Sequence, residues 1–311
     1  MSPRTPPPLR TTGSAPALPG RVRALARLRG TANRGLCLLV VVLVALEVLP
    51  GPGVPRALEP LVAPALVVLV VLVVVLTVFG GGPRPPARLI GPVVTGRWQA
   101  LSTPADRVPS HGTHGYGQTY AVDLLADPAD GSRPPFSVGG GLLPPQRFPA
   151  FGQPVLAGAG GRVVRASGRA RDHRSRNSWL ALPYLLAEGA LRDLVSWRLV
   201  VGNHVVVDHG DGSFACYAHL RRGSLRVRPG DVVAAGDVLG ECGNSGNSSE
   251  PHLHLQLMDR PSPALAAGIP FAFTGTVLEA PEGGAGQDDG RGVVPGRGQR
   301  FSAVTGDVSP R

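Results

Sequence analysis

"GNHVVVDHGDGSFACYAHL", residues 202–220, reads as two short β-type runs on either side of an "HGDGS" turn. Glycine supplies backbone conformations that other residues avoid, so the stretch predicts a hairpin whose returning strand ends at His219. Working outward, "RVRPGDVVAAGDVLGECGNSGNSSE" (226–250) brings two further turns, and upstream "GRVVRA" (161–166) is another short run. Runs of this length broken by Gly, Asp and Asn predict a mainly β fold, a small antiparallel sheet or sandwich. "WLALPYLLAEGALRDLVSW" (179–197) interrupts them with helical spacing, so a helical insertion is expected over about residues 171–198.

"EPHLHLQL" (250–257) closes the series. Side chains at i and i+2 of a strand face the same way. Leu253, Leu255 and Leu257 then cover a core, while His252, His254 and Gln256 share the opposite side. Two imidazoles aimed at one spot are costly as ornament and useful around a metal.

The chain of 311 residues carries a net charge of +10, and all 31 basic residues are Arg. That charge suits an anionic surface such as lipid or a wall polymer. No nucleic-acid-binding motif accompanies it and aromatic residues are few, so nucleic acid is not expected as a partner. Of the three cysteines, Cys216 and Cys242 fall in one domain; a disulfide and two small buried hydrophobes are both open readings. No C-x-x-C spacing exists, so a cysteine-bound zinc is not expected.

Residues 1–34 are rich in Pro, Arg and Ala and read as a disordered tail. A membrane segment follows over 35–80. Its second apolar run, 61–79, has no charge and is long enough as a helix to cross a bilayer. The first, 36–49, is shorter and contains Glu47, so one or two transmembrane helices are expected, a hairpin being favoured. Residues 81–100 read as a Gly/Pro linker, 101–275 as the β domain with its core at 202–257, and 276–311 as a second disordered tail.

Eight histidines occur, at 111, 114, 173, 204, 209, 219, 252 and 254. "VPSHGTHGYGQTYAVDLLAD" (108–127) sets His111 and His114 ahead of Asp123, whose strand context "YAVDLL" buries a carboxylate that then needs a partner. His204 and His209 read as structural, and His173, in the Arg-rich "RARDHRSR" (169–176), as surface.

"FGQPVLAGAGGRVV" (151–164), the 202–220 hairpin and the run from Val227 to Leu257 occur in an order that closely resembles the lysostaphin/LytM-type zinc endopeptidases, which cut peptidoglycan peptides. The resemblance covers roughly residues 105–260. It implies one Zn2+ in the groove of a small antiparallel sheet, with Asp123, His254 and an upstream histidine as ligands. His111 is favoured over His114 for that place because "PSHGT" is similar to the form found in relatives with a distant aspartate. His219 and His252 are then the catalytic histidines that face the reacting groups.

A catalytic zinc commonly takes three histidine or carboxylate ligands and leaves one position open. The expected function is a membrane-anchored zinc metallopeptidase acting on peptidoglycan, its partners being wall peptides and the lipid bilayer. The alternative is a catalytically silent wall-binding module of the same fold. Localisation at the cell membrane with an extracytoplasmic domain follows from the implied substrate, and oligomeric state is left open. "VRPGDVVAAGDVLG" (227–240) is also similar to the hairpins of biotinyl carriers, which need an attachment lysine; this chain has none.

Overall fold

Two helices precede the sheet in the computed structural model, which describes residues 18–48, 59–78, 85–136, 142–279 and 292–303. Helix α1 spans Gly20–Val48 and α2 spans Glu59–Val78. Helix α2 is 20 residues long with a mean hydropathy of 3.2, and it alone among the described helices is long and apolar enough to cross a bilayer. Residues 20–34, expected as disordered tail, are the first half of α1. Ala, Arg and Leu dominate "RVRALARLR", and all three are strong helix formers. Residues 1–17 and the connection 49–58 lie outside the described residues.

The strands in chain order begin with β1 (Arg88–Ile90), β2 (Arg97–Ala100), β3 (Val122–Ala126), β4 (Pro154–Leu156) and β5 (Gly161–Ser167). Helices α3 (Leu182–Val195) and α4 (Trp197–Val201) come next; α3 falls inside the interval expected to be helical, and α4 begins there and runs past its end. Then follow β6 (His204–Asp208), β7 (Phe214–Ala218), β8 (Val232–Val233), β9 (Val238–Glu241) and β10 (Leu253–Met258). The last are β11 (Gly268–Ile269), β12 (Phe271–Phe273), β13 (Thr276–Leu278) and β14 (Arg300–Ala303).

The main sheet runs β13-β14-β2-β3-β10-β7-β6-β5-β8, with β11 beside β10, and every neighbour is antiparallel. Two short pairs, β1 with β12 and β4 with β9, complete it. The expected linker therefore contains β1 and β2, and the expected C-terminal tail contains β13 and β14. Their Gly/Pro-rich setting hides apolar anchors: Trp98 and Phe301 are both buried, and β14 fills the place between β2 and β13. Residues 280–291 and 304–311 of that tail lie outside the described residues.

The hairpin β6–β7 pairs Val206 with Cys216 and Val207 with Ala215. Its turn closes where the His209 N–H donates to Ser213 O at 3.1 Å. Gly210 and Gly212 take φ of 75° and 86° there, the left-handed region that a Cβ penalises. Leu253, Leu255 and Leu257 enter one buried cluster with Val205, Val207 and Tyr217. The period-2 pattern of β10 thus fixes which of its faces is core and which carries His252, His254 and Gln256.

Cys216 and Cys242 are buried free thiols. Burial pushes the Cys216 thiol up to about 12, which keeps it protonated and inert. His173 is buried and not on the surface: its Nε2–H donates to Gly246 O at 2.8 Å, and the neighbouring Arg176 pairs with Glu188 of α3.

Candidate metal centre

Register brings the first pair together. Asp123 of β3 lies directly opposite His254 of β10, and His254 lies opposite Ala218 of β7, whose next residue is His219. The loop before β3 supplies His111, which reaches Asp123 Oδ2 with Nε2 at 2.8 Å. His254 Nδ1 stands 2.9 Å from Asp123 Oδ1. The ligand-capable atoms of His111, Asp123 and His254 all lie within 4.8 Å of one another. His114 is elsewhere: its Nδ1 is 3.0 Å from Thr119 Oγ1 and its N–H donates to Thr77 O. Of the two histidines considered upstream of Asp123, His111 is the one in the cluster.

Hydrogen bonding fixes which nitrogen of each ring carries a proton. Gln256 Nε2 donates to Tyr116 O at 2.6 Å, which turns its Oε1 toward His254 Nε2 at 2.9 Å. A carboxamide oxygen only accepts, so His254 carries its hydrogen on Nε2 and presents the Nδ1 lone pair to Asp123. Ser110 spends its hydroxyl hydrogen on Gln118 O at 3.2 Å and accepts from His111 Nδ1 at 3.0 Å. The His111 Nε2 lone pair therefore also faces the carboxylate. Two nitrogen lone pairs and one carboxylate, aimed at each other in a buried place, form a set that a bound cation would satisfy. The donor set, two imidazoles and a carboxylate, fits Zn2+.

Two more imidazoles flank the cluster. His252 donates Nδ1–H to Glu250 O at 2.8 Å, which leaves Nε2 as its acceptor, 3.5 Å from Asp123 Oδ1. His219 donates Nδ1–H to Ser245 O at 2.8 Å, and its ring centroid lies 4.8 Å from that of His252. Burial, reinforced by the neighbouring His252 and His254 rings, holds His219 well below the ordinary histidine range. For His252 burial pulls the same way, but the Asp123 carboxylate outweighs it and raises the imidazole. Burial alone would raise Asp123, but positive charge on the His111 and His252 rings, a part that a bound cation would take over, holds it well below the usual carboxylate range.

His219 sits at φ 62°, one of two non-glycine residues in the left-handed region among the described residues. Such a conformation costs on the order of 1–3 kcal/mol and persists only where its surroundings impose it. Here the His219 N–H donates to Val201 O at 3.0 Å, and His219 O accepts from Gly243 N–H at 3.1 Å. The sequence offered no sign of this, nor of the work done by Gln256, Ser110 and Tyr116 in setting the two rings. Gln256 was visible only as sharing a face with the histidines.

His204 and His209 stand outside the cluster, their Nδ1–H groups donating to Gly202 O at 2.7 Å and Gly160 O at 2.8 Å.

Comparison with known proteins matches part of the chain to a family. Residues 186–264 match the model of Peptidase family M23. The chain is 40% identical over 73 residues to the peptidoglycan DD-endopeptidase ShyA of Vibrio cholerae, covering 23% of this chain and 16% of that protein. It is 30% identical over 100 residues to the cell division protein DipM of Caulobacter vibrioides, covering 32% of this chain and 16% of that one. The matched part spans less than a fifth of either relative. Among solved structures, the catalytic domain of lysostaphin from Staphylococcus simulans is similar at 21% identity and a TM-score of 0.29, over 57% of this chain and 86% of that one. The family match falls on the segment that carries His219, His252 and His254, and the chain thus holds a Peptidase family M23 domain.

Proposed function

We propose that this chain is a membrane-anchored zinc metallopeptidase that hydrolyses peptide bonds in peptidoglycan. The observation that carries the reading is the pair of imidazole lone pairs, His111 Nε2 and His254 Nδ1, converging on the two oxygens of Asp123. Zn2+ held by these three residues would supply Lewis acidity, polarising a carbonyl and making a water acidic near neutral pH. His219 and His252 are then the groups that move the proton and donate to the developing oxyanion, each already oriented through its Nδ1 by a backbone carbonyl. The left-handed backbone at His219 keeps its ring beside those of His252 and His254.

Helix α2 is the anchor, and its exposed Val67, Val68 and Val71 are the lipid-facing surface. Arg29 of α1 donates Nε to Leu76 O at 2.6 Å and Nη1 to His114 O at 2.6 Å. The start of α1 and the end of α2 thus meet against the peptidase domain, on the same side of the bilayer. The domain faces the wall in this reading, because its substrate is there. The charge bias of Arg21, Arg23 and Arg27 favours the opposite side. A reporter fused after Arg311, active on one side of the membrane only, decides between the two.

The activity itself is tested on isolated peptidoglycan. Full-length protein should release new amino groups and a chelator should abolish the release. No release in either arm would leave a silent wall-binding module in its place.

A further inference from the structure

The candidate centre opens into a cavity of 1030 Å³ that is walled in part by helices α1 and α2. At one end it is lined by His111, Asp123, His219, His252 and His254. It is also lined by Leu38 and Val41 of α1, Val73 and Val74 of α2, and Leu194 and Val195 of α3. From Ala26 to Val41, both lining residues, α1 runs about 22 Å at 1.5 Å per residue. Asn33 and Arg34 line it as well, and Tyr116 Oη donates to Asp193, both lining residues, joining the loop before β3 to α3. The space is polar where bonds would be cut and apolar where Leu38, Val41, Val73 and Val74 line it.

A soluble peptide has no use for the apolar end. Leu38, Val41 and Val74 are exposed, and they continue the lipid-facing surface of α2 directly into the cavity. Burying apolar chain there is favourable by about 0.8 kcal/mol per methylene. Asn33 and Arg34, in the same lining, can meet a polar or anionic head carried by such a chain.

We propose that the cavity binds a lipid-linked peptide, its apolar chain between α1, α2 and α3 and its peptide at the His/Asp cluster. This rests on the peptidase reading above and names the substrate class of that site.

The test uses full-length protein in phospholipid nanodiscs with two probes: a peptidoglycan stem peptide carrying a palmitoyl chain with a terminal diazirine, and the same peptide without the chain. The expected result is a KM for the lipidated probe at least about tenfold lower than for the free one. Val74→Trp and, on the other helix, Val41→Trp fill the apolar end; in both, the ratio of the two KM values should fall toward one. Because partition of the probe into the bilayer is the same in the variants, an unchanged ratio overturns the proposal. Photolysis gives a second readout that needs no turnover. Label on Leu38, Val41, Val73 or Val74, not displaced by excess phospholipid, supports the cavity. Label on the outer residues Val68 and Val71, or label displaced by phospholipid, overturns it. Cleavage of neither probe would overturn the peptidase reading, and the label would still judge the cavity.

Discussion

Gln256 Oε1 accepts the Nε2 hydrogen of His254 at 2.9 Å, and the same ring's Nδ1 stands 2.9 Å from Asp123 Oδ1. One carboxamide, itself held by Tyr116 O, therefore decides which nitrogen of His254 has a lone pair for a metal. Such outer partners fix ring orientation and raise ligand basicity.

Replacing Gln256 with Leu should weaken zinc binding about 10- to 100-fold, measured by competition with a chromogenic chelator. Gln256→Glu keeps an acceptor at Nε2 and should recover much of the affinity. Equal affinities for wild type and Gln256→Leu would show that the bond has no part in the site.

In the proposed peptidase reading, His219 moves protons and stands outside the ligand set. Asn tolerates the left-handed region better than most residues, so His219→Asn should preserve the local backbone at φ 62°. Amino-group release from peptidoglycan should drop by about 10²–10⁴, the usual worth of such a group, while zinc content stays at the wild-type level. Loss of zinc in this variant would instead make His219 a ligand.

Away from the centre, the hairpin turn is pinned by an ion pair between Arg88 Nη1 and Asp211 Oδ2 at 2.6 Å, with both side chains buried. Burial alone would raise the Asp211 carboxyl, but hydrogen bonds from Ser213 and Arg88 outweigh it and hold the group below its ordinary value. A depressed folded pKa contributes stability that is present above the unfolded value, about 3.9, and is lost as pH falls through the folded one. The thermal unfolding midpoint should therefore lose this contribution only below about pH 4. Asp211→Asn leaves Arg88 buried without a counter-charge and should cost about 3 kcal/mol at neutral pH. A variant as stable as wild type at pH 7 would show that the pair contributes nothing.

The parts of the molecule with a strict period were legible in the sequence. Strand β10 alternates Leu and His, so its core face and its polar face could be assigned before any fold was known. The β6–β7 hairpin was legible because Gly210 and Gly212 mark its turn. The placement of His111 and His114 was not, since the loop that holds them has no period; His111 meets Ser110 and Asp123, and His114 meets Thr119. Strands β1, β2 and β14 were hidden by Gly and Pro around single anchors such as Trp98 and Phe301. The early start of α1 was hidden because the Arg and Pro content of residues 1–34 masks the helix-forming Ala, Arg and Leu of its first half.

The most direct measurement is the zinc content of purified full-length protein and of its His254→Ala variant, both shown to be folded. The account expects about one zinc per chain in the first and close to none in the second. A variant that keeps its zinc, or a wild type that binds none, would contradict it.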